Sequence, residues 1–500
     1  MAPPRPESRP SPSPPLGALH ALLPLLLVAG AVAQTKAATD ANAPAPATAA
    51  TAAPFAPVAL TTPDGSRFVL LPDPSVPQVH WVIVSPLDGS DDPAGCEGLA
   101  RAAFRTSLRG TWSTSPDPGR ERAANADLDR HWDLMMKDPR DEAIAAKVRD
   151  LNAAALQFDV VEFARLLAAA PAHRPELSEQ GGCGTLALTT VAPALGDVGR
   201  LLVERRDPQA LRRFQNEWLL VFGTRIEAFA GDPLRPLRAE LLALSMPGHP
   251  LERALQVPVP IVPTFERAMV AWQRSQHPAR TVHLLFGDFD VTTATATLQA
   301  TFASTSLPRP DAEPLPGPRA LTGSRRSVVP GLALPCLLAG WALPAGTDPD
   351  VLEVATSLLA DGPASLLGQE LAKAGLVGAT CAATAPWPAA ADGRGLFVLE
   401  VIAATSKGGL DELVLRVART AATTMPDAAR LQTINLERQR RWRTMAQDPR
   451  ALARSLAIDA FLWPTRTPRR TAPVDVTGKQ VQELLARTFA GHPVLVEGRP

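Results

Sequence analysis

Five hundred residues are enough for more than one domain, each with a sizeable core. Fifty basic and fifty acidic side chains cancel, which removes the overall electrostatic case for nucleic acid or an anionic membrane surface as partner. Fifty-two prolines exclude a coiled coil or a long bundle, and tyrosine is absent.

Residues 1–33 read as a secretory signal. Arg5 and Arg9 supply the positive start, Leu16–Val28 the apolar run, and Ala31-Val32-Ala33 a small-residue cleavage site before Gln34. The rival reading is an uncleaved anchor, although His20 and Pro24 interrupt a run already short for a span. Residues 34–57, rich in Ala, Thr and Pro, predict a disordered tether. The expectation is an exported protein with no stable membrane span after cleavage, periplasmic if it comes from a diderm bacterium.

From Val58, Asp64-Gly65 between two β-rich runs predicts a hairpin. Val79–Val84 (VHWVIV) reads as a strand, Pro86–Gly95 as a polar turn, and Gly98–Thr111 (GLARAAFRTSLRGT) begins a short helix. Leu99, Ala102, Ala103 and Thr106 have the spacing of a helix face packed on a sheet. Arg101, Arg105 and Arg109 recur every four residues on another face, with Glu97 four before Arg101. Residues 116–174 show helical spacing over Ala123–Met136 and Asp141–Ala169 and read as a helical insertion.

Gly181–Pro193 alternates as a strand, and Leu195–Ala210 and Leu211–Phe222 read as helices. Thr264–Gln276 is a helix, Thr281–Asp288 a buried strand ending at Gly287-Asp288-Phe289, and Thr292–Phe302 a further helix. Residues 304–327, with five prolines, form a linker. The pattern then restarts with strand Leu332–Leu343, turn Ala345–Asp350, helix Val351–Leu359, segment Gly362–Leu371 and strand Val377–Ala385. Strand Leu396–Ala404 follows, then helices Leu410–Thr423, Asp427–Met445, Pro449–Phe461 and Thr477–Phe489, and a closing strand Val494–Val496. The expected fold is α+β. Two homologous halves, 58–303 and 328–500, each form a mainly antiparallel sheet with helices packed on one face.

A strand, a polar turn and a short helix ending Leu-Arg-Gly-Thr resemble the catalytic element of the insulinase/pitrilysin metallopeptidases. That family reads G-L-A-H-F-L-E-H-M-L-F-K-G-T there and carries the inverted zinc motif H-x-x-E-H. Gly98, Leu99, Ala100, Gly110 and Thr111 match, while Arg101 and Arg105 hold the histidine positions and Phe104 the glutamate position. Leu211–Phe222 stands where the family has E-R-E-x-V-L-x-E, whose final Glu is the third zinc ligand. Glu217 matches the early acid, and Gly223 or Thr224 falls at the ligand, with Asp232-Pro233 and Gly248-His249-Pro250 fixing the spacing. Glu227 lies near, but one carboxylate does not hold zinc. The strand–Gly-Asp-Phe–helix sequence resembles the family's close of its first half.

The resemblance implies two like-folded halves around a chamber, with zinc as cofactor and peptide hydrolysis as activity. In this chain it implies that zinc is lost. Arginine does not give up its proton to become a ligand, and Phe104 has no lone pair with which to act as general base. Active two-halved members also place an Arg and a Tyr of the second half at the substrate carbonyl; the matching stretch here, PASLLGQEL, has Leu366 and Gly368. The expectation is a catalytically inactive, exported insulinase-family homologue without a cofactor. It would act as a non-catalytic subunit or a peptide-holding clamshell, with an active insulinase-type subunit or a peptide as partner. Two alternatives are an exported metallo- or other hydrolase with a non-standard site in the same chamber, and a structural envelope protein.

Other features carry two readings each. Cys96, Cys183, Cys336 and Cys381 allow at most two disulfides or are buried small apolar groups. His131, Asp133 and His173 are surface side chains or a substitute metal site. The stripe Arg101/Arg105/Arg109 grips carboxylates or forms a solvated face partly neutralised by Glu97. Trp112, Trp218 and Trp272 belong to the core or line a groove. Arg438–Arg443 (RQRRWR) reads as a solvated helix face rather than a nucleic-acid contact.

Overall fold

The computed structural model describes residues 57–500 apart from 88, 90–91, 94, 139, 159–162, 181, 208–209, 257–263, 304–314, 377, 390–392, 405–408, 467 and 469–470. The expected signal, the expected tether up to residue 56 and residues 304–314 of the expected linker lie outside the described residues.

The first half runs β1 Val58–Thr61, β2 Arg67–Pro72, β3 Val79–Pro86, α1 Leu99–Arg105, α2 Pro118–Lys137, α3 Glu142–Ala155, α4 Phe163–Ala169, β4 Ala172–Gln180 and β5 Cys183–Thr190. It continues α5 Leu195–Glu204, α6 Leu211–Gly231, α7 Arg235–Ser245, α8 Pro250–Leu255, α9 Phe265–Ser275, β6 Val282–Gly287 and α10 Val291–Thr301. The second half runs β7 Arg325–Val329, β8 Cys336–Ala342, α11 Pro349–Ala360, α12 Leu366–Lys373, β9 Thr380–Trp387 and β10 Leu396–Ile402. It ends α13 Leu410–Thr423, α14 Ala428–Ala446, α15 Pro449–Leu462, α16 Gly478–Phe489 and β11 Val494–Gly498.

Among the described residues the strands form two sheets, in the orders β1-β2-β6-β3-β5-β4 and β7-β11-β8-β10-β9. The second reproduces the first without β1. β2 is parallel to β6 as β7 is to β11. The remaining pairs β6–β3, β3–β5 and β5–β4 are antiparallel, as are β11–β8, β8–β10 and β10–β9. Two like-folded halves are thus present, and both belong to one compact unit.

Strand alternation explains how each sheet is covered. Phe68, Trp81, Ile83, Leu186 and Leu285 face α4, α5 and α10 through Phe163, Leu167, Val198, Leu202 and Leu298. Their neighbours Val82, Val84, Ala187, Leu284 and Phe286 face Leu452, Leu456 and Phe461 of α15, a helix of the second half. Reciprocally, Leu337, Trp341, Phe397 and Leu399 face their own half's α11, α13 and α16. Leu338, Val398 and Val496 face Leu237 and Leu241 of α7, a helix of the first half. Each half therefore covers one face of its sheet and lends one helix to the outer face of the other. Burial on both faces is why VHWVIV reads as an apolar run interrupted only by His80. Close approach of α7 also accounts for Gly340, where a Cβ would lie 3.0 Å from Leu241 Cδ1.

Several boundaries differ from the sequence reading. β4 closes what was read as the insertion, and β7 begins inside what was read as linker; both are edge strands, and β4 carries Pro175. α4 belongs to the main core, which leaves α2 and α3 as the insertion, with a small core of Leu128, Val148 and Ala155. A buried ion pair, Glu121 to Arg213 of α6 at 2.9 Å, fastens it. The expected helix Leu195–Ala210 stops at Glu204, while α6 runs on past Phe222 to Gly231. No helix among the described residues is long and apolar enough to cross a membrane.

Candidate functional site

The site is built on α1 and its approach. Asp92 turns its carboxylate back on the chain, accepting from the N–H groups of Gly98 at 2.7 Å and Ala100 at 2.6 Å. Gly98 has φ 97°, and a Cβ there would sit 3.2 Å from Val221 of α6, so the turn needs glycine. Leu99, Ala102 and Ala103 pack on α6 and α9 through Phe214, Trp218, Val221, Ala268 and Trp272. That corrects the expected sheet-packed face. What α1 presents to the sheet is Phe104, whose ring fills the space a Cβ on Gly184 of β5 would need.

The positions singled out in the sequence are engaged in structural contacts. Arg101 and Arg105 lie one turn apart, and both Nε groups reach the carboxylate of Glu179 on β4, at 2.9 and 2.7 Å. Arg109 pairs with Glu217 of α6 at 3.0 Å. Glu97 instead accepts from the Gly95 N–H at 2.9 Å and pairs with Arg253 at 3.5 Å. The arginine stripe is thus held by acids of other elements, and its expected neutralisation by Glu97 does not occur. Phe104 is 2% exposed. Thr224 is exposed on α6 and donates its hydroxyl to Leu220 O at 2.9 Å, beside a Gly223 with open space around it.

Arg101 and Thr224 meet at one cavity of about 190 Å³, lined also by Gly98, Ala100 and three charged residues, Asp92, Arg225 and Arg235. Arg225 donates to Glu97 O and Ala254 O, and Arg235 to Leu255 O, Ala254 O and Arg225 O. Burial pushes the Asp92 carboxyl up to about 6 against the pull of its two N–H donors and Arg225. Burial likewise lowers Arg225 and Arg235. The sequence reading missed all three; the only cue was that Arg225 directly follows Thr224.

Zinc, the ion this type of fold implies, needs neutral nitrogen, thiolate or carboxylate donors and an open position for water. The four positions supply two guanidiniums sharing one acid, a packed benzyl ring and a hydroxyl committed to its own helix. These residues do not fit zinc. Among the described residues, no three His, Cys, Asp or Glu side chains are placed to hold a metal ion. His131 bonds through Nδ1 to Asp127 O at 2.8 Å on α2, Asp133 is exposed, and His173 lies in β4.

In the second half, Leu366 opens α12 and packs on the core, and a Cβ on Gly368 would come within 2.6 Å of Gly362 O. Trp218 and Trp272 are core residues, and Trp112 is buried. The RQRRWR run is not simply solvated. Arg438 is 3% exposed and pairs with Asp350 and Glu353 of α11, both at 2.8 Å, while Arg441 reaches Glu353 at 3.0 Å. With Asp459 and Arg466 they line a cavity of about 500 Å³. All four cysteines are free thiols in four separate hydrophobic clusters, Cys96, Cys183 and Cys336 buried and Cys381 half-buried, so the disulfide reading is replaced by that of small apolar groups.

No protein-family model matches the sequence, and no curated protein matches it. Solved structures do. A protease from Helicobacter pylori superposes with a TM-score of 0.63 at 15% identity, over 89% of this chain and 99% of that one. An M16 peptidase inactive domain from Pseudomonas fluorescens gives 0.59 at 15% identity, over 89% and 98%. The periplasmic protease PqqL from Escherichia coli gives 0.58 at 12% identity, over 89% of this chain and 45% of the longer one. This chain has the two-half α+β fold of the M16, or insulinase-type, peptidases.

Proposed function

We propose that the chain is a catalytically inactive insulinase-type homologue, exported, whose shell holds peptides either alone or as the non-catalytic subunit of an active peptidase. The observation that carries this reading is the fate of the motif positions. Arg101 and Arg105 share Glu179, Phe104 packs on Gly184 and Thr224 bonds its own helix, so side chains that would do chemistry do packing instead. Two further features support it. α6 exposes Leu219, Leu220 and Ile226, apolar side chains that a partner segment could cover. One structural neighbour is itself described as an inactive domain. Export rests on Arg5, Arg9, the Leu16–Val28 run and Ala31-Val32-Ala33, and a second neighbour is described as periplasmic.

The test is incubation of the purified protein with unstructured peptides, with and without chelator, alongside equilibrium binding of the same peptides. Saturable binding without cleavage is expected. Chelator-sensitive cleavage by the protein alone would replace this reading with that of a hydrolase using a non-standard site.

A further inference from the structure

The helical insertion is fastened to the body by polar groups and not by a shared core. Its own apolar core, built on Leu128, Val148 and Ala155, lies wholly within α2 and α3. Among the described residues, none of the five larger apolar clusters takes a side chain from either helix. Arg213 of α6, buried, makes the attachment. It donates to Phe158 O at 3.2 Å and meets Glu121 of α2 at 2.9 Å, and so holds both ends of the insertion. Its other terminal nitrogen donates to Gly110 O at 2.7 Å, at the close of the segment that begins with α1. Beside it, Arg212 donates to Ala155 O at 3.4 Å, and Arg122 of α2 stands 5.9 Å over the Trp112 ring.

The joint is held by charge and is poor in hydrogen bonds. Neither carboxylate oxygen of the fully buried Glu121 has an aligned hydrogen bond. Asn125 Oδ1 and Trp132 Nε1, on the same face of α2, are buried without one. Water that reaches these atoms when the joint opens supplies the missing bonds, which lowers the cost of opening. The insertion is also near the roughly 40-residue size below which a chain rarely stands folded alone, so it borrows stability from the joint.

We propose that α2 and α3 form an arm that opens from the body as one unit, with Arg213 as its clasp. Because the same guanidinium holds Gly110, opening of the arm also loosens Thr111–Ser115, the segment between the motif positions and α2. The arm is independent of whether the shell holds a peptide.

Hydrogen exchange on the full chain, read by mass spectrometry, tests this. In the wild-type protein the amides of α2, α3 and residues 111–115 should exchange together, at least about a hundredfold faster than those of β3 and β10. Arg213→Met leaves the Glu121 charge buried and unpaired, and should speed the arm's exchange by about a further hundredfold while β10 stays as it was. Glu121→Gln keeps the shape of the joint and should give a smaller rise with the same pattern. Leu128→Ala, inside the arm's own core, should speed α2 and α3 and leave α6 unchanged. Exchange of α2 and α3 at the rate of β3 in the wild-type protein overturns the arm. Separate rates for α2 and α3 overturn its opening as one unit. Acceleration in Arg213→Met that reaches β10 equally, with no change in the arm for Glu121→Gln, overturns the clasp.

Discussion

Phe104→Glu places a carboxylate where the resemblance puts the family's general base, and its effect follows from the packing around α1. The ring is 2% exposed and occupies the volume that a Cβ on Gly184 would need. Truncating such a ring costs about 3–5 kcal/mol. The two methylenes of glutamate recover about 0.8 kcal/mol each at best, while its carboxyl is buried against glycine and apolar neighbours. Burial raises the acid's pKa above its unfolded value of about 4.3, so the penalty grows as pH rises through the folded value. The expected net loss is about 3 kcal/mol at pH 5 and more at pH 7.5, with Phe104→Leu losing about 1 kcal/mol as an apolar control. Urea unfolding followed by tryptophan fluorescence at both pH values reads this directly. A glutamate variant within ~1 kcal/mol of wild type at both pH values would refute the packing account and leave the position open to catalysis.

Leu241, fully buried under the second half's sheet, should cost about 2–5 kcal/mol on replacement by alanine and expose the interface between the halves to limited proteolysis. Gly287 has φ 143°, and a Cβ there would stand 1.8 Å from Gln78 O, so Gly287→Ala should lose at least ~3 kcal/mol in thermal unfolding. Asp92, pushed from 3.8 to about 6 by burial, keeps a proton in the folded state that the unfolded chain has released. Its stabilising contribution is present below pH 4 and lost as pH rises through 6, on the order of 3 kcal/mol, and Asp92→Asn should remove that slope from unfolding measured between pH 4 and 7. Asp129, pushed up to about 7 by burial and by Asp133, acts in the same direction and remains in the Asp92 variant.

How far the sequence could be read depended on where each element found its partners. Strands buried on both faces, such as β3 and β10, announce themselves as apolar runs, and helices such as α9, α13 and α16 fall within a residue or two of their expected limits. The exchange of α7 and α15 between the halves was not legible. An amphipathic pattern states that a helix has a buried face, not which of two similar sheets it meets. β4 and β7 are edge strands with charged or proline-bearing sequences, AHRPELSEQ and RRSVV, and periodicity gave them no strand signal. The motif positions were legible because glycine, leucine and threonine flank them. Their contacts were not: Glu179 is 74 residues from Arg105, and the acids that bury Arg438 are 85 and 88 residues away. Asp92 could not be singled out among the aspartates of its turn, because its role depends on where Gly98 and Ala100 point their N–H groups.

Zinc content bears most directly on the claim that a peptidase-shaped shell has lost its chemistry. Elemental analysis of the full chain, purified and then equilibrated with excess zinc and desalted, should find far less than one ion per chain and no chelator-sensitive peptide cleavage. One tightly held zinc per chain, released by chelator together with a hydrolytic activity and retained in a His131→Ala control, would contradict it.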